Sequence, residues 1–212
     1  MSYYLQSGIR ILIAATICHG VYAQGTDVKG SARATPGDYQ AHVQAGAVTI
    51  AADFSGHSIS SPQSVLATED FVVVEVAFFG PPAPPLKLSY ADFSLRLNGK
   101  KNPLPAQPFE LVFSSLKDPE WEPPIPPESK SKTSFGGSGK GDPGSTPPPV
   151  HVPIAIERGW EQRVLRAALP GGERALPAAG MIFFKYRGKP ENIDSIELIY
   201  AGPAGKATLT LR

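Results

Sequence analysis

The sequence predicts an all-β fold: an antiparallel sandwich of two sheets with about seven short strands, one short helix and a long proline- and glycine-rich insertion. Two observations lead to this prediction. Short segments alternate apolar and polar residues, and hairpin-length turns separate them. The sequence also lacks the strand-helix-strand repeats from which a parallel sheet is built.

Two segments precede the first predicted strand. Residues 1–23 have the order of a secretory signal peptide, because Arg10 precedes an apolar run and Ala23 ends the segment at a favourable cleavage position. The apolar run is far shorter than the ~20 residues that span a bilayer, so we expect no membrane span after cleavage. Residues 24–38 are small and polar without apolar periodicity, and we expect a disordered leader there.

Residues 39–117 are predicted to form the first part of the sandwich. Residues 71–79, FVVVEVAFF, are almost continuously apolar, which is typical of a central strand, and the prolines that follow end it. The strands predicted here cover residues 47–54, 71–79, 92–100 and 109–113. The third of them closes on Asn98-Gly99, a strong tight-turn dipeptide.

Residues 118–158 are predicted to be a flexible insertion. Ten prolines and five glycines lie between residues 118 and 153, with few aliphatic residues to bury. Within it, SKTSFGGSGKGDPGS suggests a phosphate-binding loop, but the pattern G-x-x-x-x-G-K-[ST] fails in register. Ser134 stands where the first glycine should be, and Gly141 where the hydroxyl should be. A spacer is the better interpretation.

Residues 159–212 are predicted to complete the same sandwich. A short amphipathic helix is expected over residues 159–169, with Trp160 and Val164 on its buried face. Three strands follow, over residues 180–186, 193–200 and 206–212. The connections between them are short enough for neighbouring antiparallel pairing. Because three strands do not make a stable sandwich alone, both halves are interpreted as one interrupted domain.

Two segments resemble a known type of domain. "DFVVVEVAFFGPPAPPLKLSYADFSLRLNGKKNPL" and "LPAAGMIFFKYRGKPENIDSIELIYAGPAGKATLTLR" are similar to the early and closing parts of the immunoglobulin-like, immunoprotective-extracellular type of sandwich found in exported bacterial proteins. The resemblance spans about residues 47–116 and 167–212 and leaves the insertion unmatched. It implies an Ig-like fold and an extracytoplasmic setting, and it carries over no catalytic residues.

Charge and motifs exclude several classes of function. With the signal removed, 19 basic residues balance 19 acidic ones, which argues against a binder of nucleic acid driven by bulk charge. No nucleotide, cofactor, metal or catalytic site is predicted. His42, Asp53 and His57 are the one cluster worth considering for metal, and surface histidines on a loop are the preferred interpretation because the ligand set is incomplete.

Five residues are candidate contacts for a partner. Trp121 and Phe135 are aromatic residues within the insertion that could order on binding, or be neutral passengers. Tyr186, Arg187 and Lys189 form a possible contact patch at a turn, with a solvated hairpin tip as the alternative.

The predicted function is an exported, non-enzymatic module, periplasmic, secreted or on the cell surface, that binds an unknown protein or envelope component. Two alternatives stay open. One is a hydrolase or carbohydrate-active sandwich with a dispersed site, which a co-located carboxylate pair in a concave pocket would favour. The other is a structural subunit of an extracellular assembly.

Overall fold

A computed structural model describes residues 32–61, 64–123 and 151–211 of the chain. Over these ranges the chain is an antiparallel β protein with one α-helix and four 3-10 helices, which confirms the all-β prediction. The strands are β1 (Ala41–Ala45), β2 (Val48–Gly56), β3 (Ser58–Ser60), β4 (Val65–Thr68), β5 (Phe71–Phe79), β6 (Leu86–Leu88), β7 (Phe93–Leu97), β8 (Leu104–Gln107), β9 (Leu116–Lys117), β10 (Gly172–Arg174), β11 (Ala178–Lys185), β12 (Ile196–Gly202) and β13 (Gly205–Thr210). The helix α1 is Ile154–Ala167, and the 3-10 helices are Pro36–Asp38, Tyr90–Asp92, Phe109–Ser115 and Pro190–Asn192.

Eight strands form one large sheet in the order β1-β2-β5-β11-β8-β7-β12-β13. The sheet curls until its edge strands β1 and β13 lie against each other. Their turns also meet, because a side chain at Gly46 would place its Cβ 2.7 Å from the carbonyl oxygen of Ala204. Two small sheets, β10-β6 and β3-β4-β9, stand beside the large one.

This arrangement differs from the two facing sheets that the sequence predicts. β11 inserts between β5 and β8, pairing with β5 from Ala178–Phe78 to Lys185–Phe71. Such a pairing joins residues about a hundred positions apart, and no local pattern reports it. The pairing of β12 with β13 agrees with the short-connection prediction, whereas the predicted pairing of β11 with β12 is wrong because β8 and β7 lie between them.

β5 is buried on both faces, as its continuous apolar run predicts. Val72, Val74 and Val76 point into the inner core, which fills the curled sheet. Phe71 and Val73 point outward into a second core, here called the outer core. Its fully or largely buried members are Ile59, Leu66, Phe71, Val73, Val112, Trp160, Val164, Ala168, Met181 and Phe183. A strand covered on both sides cannot keep the alternation that marks a half-exposed strand.

An outer layer covers this second core. It consists of α1, the 3-10 helix Phe109–Ser115 and the sheet β3-β4-β9. After α1 the chain returns directly onto β11, where the Leu169 N–H donates to the Met181 carbonyl at 3.0 Å. The outer layer therefore has a defined position on the large sheet.

Residues 32–39 pack on the remaining outer face of the sheet. Tyr39 covers the small residues Ala51, Ala77 and Ala179. The sequence predicts a disordered leader up to residue 38, but its described part contains the 3-10 helix Pro36–Asp38 and contributes to this cluster. The small side chains of the three alanines leave room for the Tyr39 ring. This fit between distant residues cannot be predicted from the polar sequence of the leader alone.

The ends of the insertion are ordered on both sides. Residues 118–123 follow β9, and α1 begins at Ile154, five positions before the predicted start of the helix. Residues 124–150, the centre of the predicted insertion, lie outside the described residues. Strands from both sides of this segment share the large sheet. Within the described ranges, no helix has the length and apolar character required to cross a bilayer.

Candidate binding groove

The 3-10 helix Phe109–Ser115 forms one wall of a surface groove. The sequence predicts a strand here from the alternation of Phe109, Leu111 and Phe113, and that prediction is wrong. Leu111 is 51% exposed, whereas Val112 is fully buried. The Leu111 N–H donates to the Pro108 carbonyl at 3.2 Å, which establishes a spacing of three residues in place of two.

Helix α1 forms the other wall. Trp160 and Val164, four residues apart, are buried in the outer core as the sequence predicts. Glu157 and Glu161 are also four residues apart, and they border the buried face along the side next to the 3-10 helix. The two carboxylates therefore stand on neighbouring turns at the edge of the groove.

The groove between these walls has a volume of about 320 Å³. Its lining residues are Phe113, Ser114, Leu116, Glu157, Trp160 and Glu161. Three of the six are apolar side chains or aromatic rings, and two are carboxylates. Trp160 is only 5% exposed, and Phe113 and Leu116 are half-buried, so polar groups supply the larger share of the accessible lining.

Polar contacts hold both walls in place. On the 3-10 helix, the Ser115 and Thr68 hydroxyl oxygens are 2.7 Å apart, which ties the wall to β4. On α1, Arg163 donates to the Ser64 hydroxyl at 2.6 Å and lies 3.6 Å from the Asp118 carboxylate. A binding site whose walls are already fixed loses less conformational entropy when a ligand enters.

The Glu157 and Glu161 carboxylates have no hydrogen-bond or ion-pair partner in the part of the chain that the structure describes. Like charges four residues apart destabilise a helix by about 0.2–0.5 kcal/mol. The favourable field at a helix N-terminus explains a glutamate in the first turn at position 157, but it fades by the second turn at position 161. At the edge of the groove, Glu157 is exposed and Glu161 is half-buried.

Trp121, one of the five predicted contact residues, lies next to the groove. Its ring packs edge-on against Trp160, with the ring centroids 6.3 Å apart. The side chain is half-buried, and the backbone N–H of Trp121 donates to the Asp118 carbonyl at 3.1 Å. Phe135, the second aromatic candidate, lies outside the described residues.

The other three candidates lie at the turn after β11. Arg187 makes two hydrogen bonds to the Asp70 carboxylate, at 2.7 and 2.9 Å, and holds the pKa of that carboxyl below its usual value. The Tyr186 ring stacks on His57 with centroids 6.4 Å apart. Lys189 is exposed, and its side chain has no partner among the described residues. Tyr186 and Arg187 are therefore held by contacts within the protein, whereas the Lys189 side chain is exposed to solvent.

His57 has a structural position beneath this turn. Its Nδ1 lies 2.6 Å from the Phe71 carbonyl oxygen and its Nε2 lies 2.9 Å from that of Gly188. Since both nitrogens face backbone oxygens, neither is directed at a metal.

Asp53 and Glu75 are a carboxylate pair on adjacent strands, opposite each other in register. Arg33 bridges them, ion-paired with Asp53 and 3.0 Å from Glu75. The Gln40 N–H also donates to Asp53. These contacts identify the pair as a structural ion cluster, and the described residues include no group of three side chains suited to hold a metal ion.

Sequence reasoning did not identify the groove. The available signal was the i, i+4 pair of glutamates beside a tryptophan on the predicted helix, but the helix was expected to begin at residue 159, after Glu157. The facing wall was assigned to a strand. Neither error could be corrected without knowing which elements meet across the outer core.

Comparison of the chain with protein-family models, with curated proteins and with solved structures finds no match. The groove is therefore interpreted from its own geometry.

Proposed function

We propose that this protein is an exported, non-enzymatic binding module of the bacterial envelope, and that the groove between the 3-10 helix and α1 is its binding site. Glu157 and Glu161 are a co-located carboxylate pair of the kind that would favour the hydrolase alternative, but both stand on α1 at one edge of the groove and do not flank it from two sides, as an acid and a base around a scissile bond would. The signal-like residues 1–23 support export. The resemblance to Ig-like, immunoprotective-extracellular domains supports the same setting. The single curled sheet of eight strands differs from the two facing sheets of that type, so the resemblance supports the setting and not the detailed fold.

The observation that carries the proposal is the groove itself. It is a concave site where two carboxylates and a hydroxyl converge beside partly covered apolar side chains, and convergent polar groups in a concavity mark a candidate binding site. At about 320 Å³ it lies near the lower end of the range for ligand pockets, roughly 300–1,000 Å³. The neighbouring walls also expose apolar side chains, since Leu111 is 51% and Ile154 is 66% exposed.

Site-specific photo-crosslinking in cells tests this proposal. A photoreactive amino acid replaces Ser114, which is exposed at the groove. The matched control carries the same amino acid at Thr208, an exposed position on β13 outside the groove. We expect one or a few discrete adducts in the envelope fraction from position 114 and none of them from position 208.

Two results would count against the proposal. Identical adduct patterns from both positions would indicate contact without a specific site. An absence of the mature protein from the envelope fraction would refute the exported setting, whatever the groove binds.

A further inference from the structure

We propose that residues 32–38 form a releasable strap on the outer face of the large sheet, and that Arg33 is its ionic latch. Release frees these residues from the sheet and adds up to about 25 Å to the reach of the segment in front of Tyr39, at roughly 3.3–3.6 Å per extended residue. The strap lies apart from the groove, so this inference does not depend on the function proposed there.

Arg33 makes all the hydrogen bonds and ion pairs that join the strap to the strands within the described residues. Its guanidinium is ion-paired with Asp53 of β2 and lies 3.0 Å from the Glu75 carboxylate of β5. The guanidinium carbon also lies 4.4 Å from the centroid of the Tyr39 ring, and the Arg33 backbone N–H donates to the Tyr39 hydroxyl at 3.0 Å. One residue therefore connects the strap to two strands and to the buried tyrosine that follows it.

The rest of the strap is lightly held. Only Ala32 and Pro36 are half-buried, and the other residues from 33 to 38 are exposed. The remaining hydrogen bonds are local, such as those from the Thr35 N–H and hydroxyl to the Asp38 carboxylate at 2.8 and 3.1 Å. These bonds move with the strap and do not oppose its release. A segment with so few buried contacts opens at a free energy well below that of global unfolding.

Tyr39 stays on the sheet when the strap leaves. Its side chain is 5% exposed and covers the three alanines beneath it. The next residue, Gln40, is held on β2, where its N–H donates to Asp53 and its side-chain oxygen accepts the Phe54 N–H at 3.2 Å. The hinge of the strap therefore lies between Asp38 and Tyr39.

The latch should respond to salt, because its ion pairs are partly open to water. The side chains of Arg33, Asp53 and Glu75 are 38%, 22% and 24% exposed. Ion pairs of this kind contribute little individually, and they weaken as the Debye length falls from about 10 Å at 0.1 M salt to about 3 Å at 1 M. A rise in ionic strength therefore shifts the strap toward release.

Cleavage after Arg33 by an arginine-specific protease measures the released state. Such a protease binds the arginine side chain in its own specificity pocket, so Arg33 must first leave Asp53 and Glu75. When opening and closing are fast, the cleavage rate follows the population of the open form. Mass spectrometry of the mature full chain counts the new N-terminus at Ala34. A synthetic peptide of residues 24–40 gives the cleavage rate without the sheet at each salt concentration.

We expect the wild type at about 20 mM salt to be cut at least about tenfold more slowly than the peptide, and the difference to shrink about three- to fivefold at about 0.5 M. The decisive variant is D53N/E75Q, which should raise the rate at low salt about five- to tenfold, because it removes both partners of the latch. The matched control is E173Q/E191Q, which removes two exposed carboxylates away from the strap and should leave the rate unchanged. Circular dichroism checks the fold of both variants.

Equal rates for the wild type and the peptide would show that the strap does not dock, and equal effects of the two double variants would show that the carboxylate pair is not the latch. Either result overturns the proposal. So does cleavage at Arg33 that occurs only together with loss of tryptophan fluorescence, because release would then require global unfolding. If D53N/E75Q does not fold, the wild type decides, since a rate that does not rise with salt relative to the peptide also overturns the proposal.

Discussion

Replacing Gly180 by alanine should strongly destabilise the protein. Gly180 lies in β11 where the chain crosses it after α1. An added Cβ would stand 2.4 Å from the Leu169 Cα and 2.5 Å from its nitrogen, compared with 3.4–4 Å for ordinary contact. The obstacle is backbone, which cannot rotate away as a side chain can. The backbone at Leu169 must therefore move by about 1 Å, as the difference between 2.4 and 3.4 Å requires.

The magnitude follows from two losses. Overpacking of this kind costs about 1–3 kcal/mol and occasionally more. The displaced backbone includes the Leu169 N–H, whose 3.0 Å hydrogen bond to the Met181 carbonyl contributes about 1 kcal/mol. We expect G180A to lower the free energy of unfolding by about 2–4 kcal/mol and the melting temperature by about 4–16 °C.

Gly159 offers a matched control. It lies within α1, and an added Cβ there would meet nothing within 4 Å. G159A should raise the free energy of unfolding by about 0.5–1 kcal/mol, because alanine is the better helix former. The same chemical change is thus expected to have opposite signs at two positions.

Urea unfolding measures both variants. The two tryptophans, Trp121 and Trp160, both lie in the outer layer, so their fluorescence reports that layer, while far-ultraviolet circular dichroism reports the sheet. If the unfolding free energy of G180A lies within about 0.5 kcal/mol of the wild type, the close crossing of α1 and β11 is wrong. The position of one groove wall would then be wrong as well.

Three further predictions concern charged groups. Arg187 lowers the pKa of Asp70 in the folded state. The ionised Asp70 carboxylate therefore contributes stability at pH values above its ordinary pKa of 3.8, and this contribution is lost as the pH falls through the lowered pKa. In urea titrations from pH 2 to 7, R187Q should therefore be less stable than the wild type at pH 7 and equal to it at the acid end; a constant difference would contradict this. Burial raises the pKa of Asp92, and the charge of Lys87 offsets part of this rise. Because the folded state favours the protonated carboxyl, the free energy of unfolding falls as the pH rises from the ordinary pKa of about 3.8 through the raised pKa. D92N should unfold at higher urea than the wild type at pH 7 and at similar urea at pH 3, and a less stable D92N at pH 7 would refute the assigned direction. R33A should lower the free energy of unfolding by about 1 kcal/mol, because Asp53 and Glu75 would then face each other without a cation between them, and R33K should recover part of this loss. Thermal melting at low salt measures both variants. Equal melting of R33A and the wild type would show that the bridge contributes nothing.

Local patterns predicted the elements whose environment is uniform along their length. The run over residues 71–79 predicted β5 with the bounds that the structure has, because both of its faces are covered. Trp160 and Val164 predicted the buried face of α1, because a helix that packs on one side keeps a period near 3.6. The Pro-rich character of residues 118–158 did not reveal that the helix starts at Ile154.

Hydrophobic patterns gave wrong predictions where the same spacing of apolar residues is compatible with both a strand and a 3-10 helix. Phe109, Leu111 and Phe113 alternate as in a strand, yet they belong to a 3-10 helix whose buried residue is Val112. β8 was not predicted; proline argues against a strand, yet Pro105 at its second position pairs with Ser94 of β7 in a ladder of two residue pairs. The partners of these segments, and not their own composition, decide their conformation.

The sequence by itself determined that the fold is all-β, the central strand, the buried face of the helix and the absence of a phosphate-loop motif, because each is recorded in the spacing of neighbouring residues. The tertiary structure decided the order of the strands, the role of Arg187 as a partner of Asp70, and the groove. These depend on contacts between residues far apart in the chain. Glu157 and Glu161 became a candidate site only when the 3-10 helix was found opposite them, since a pair of glutamates on a helix is unremarkable until something apolar lies beside it.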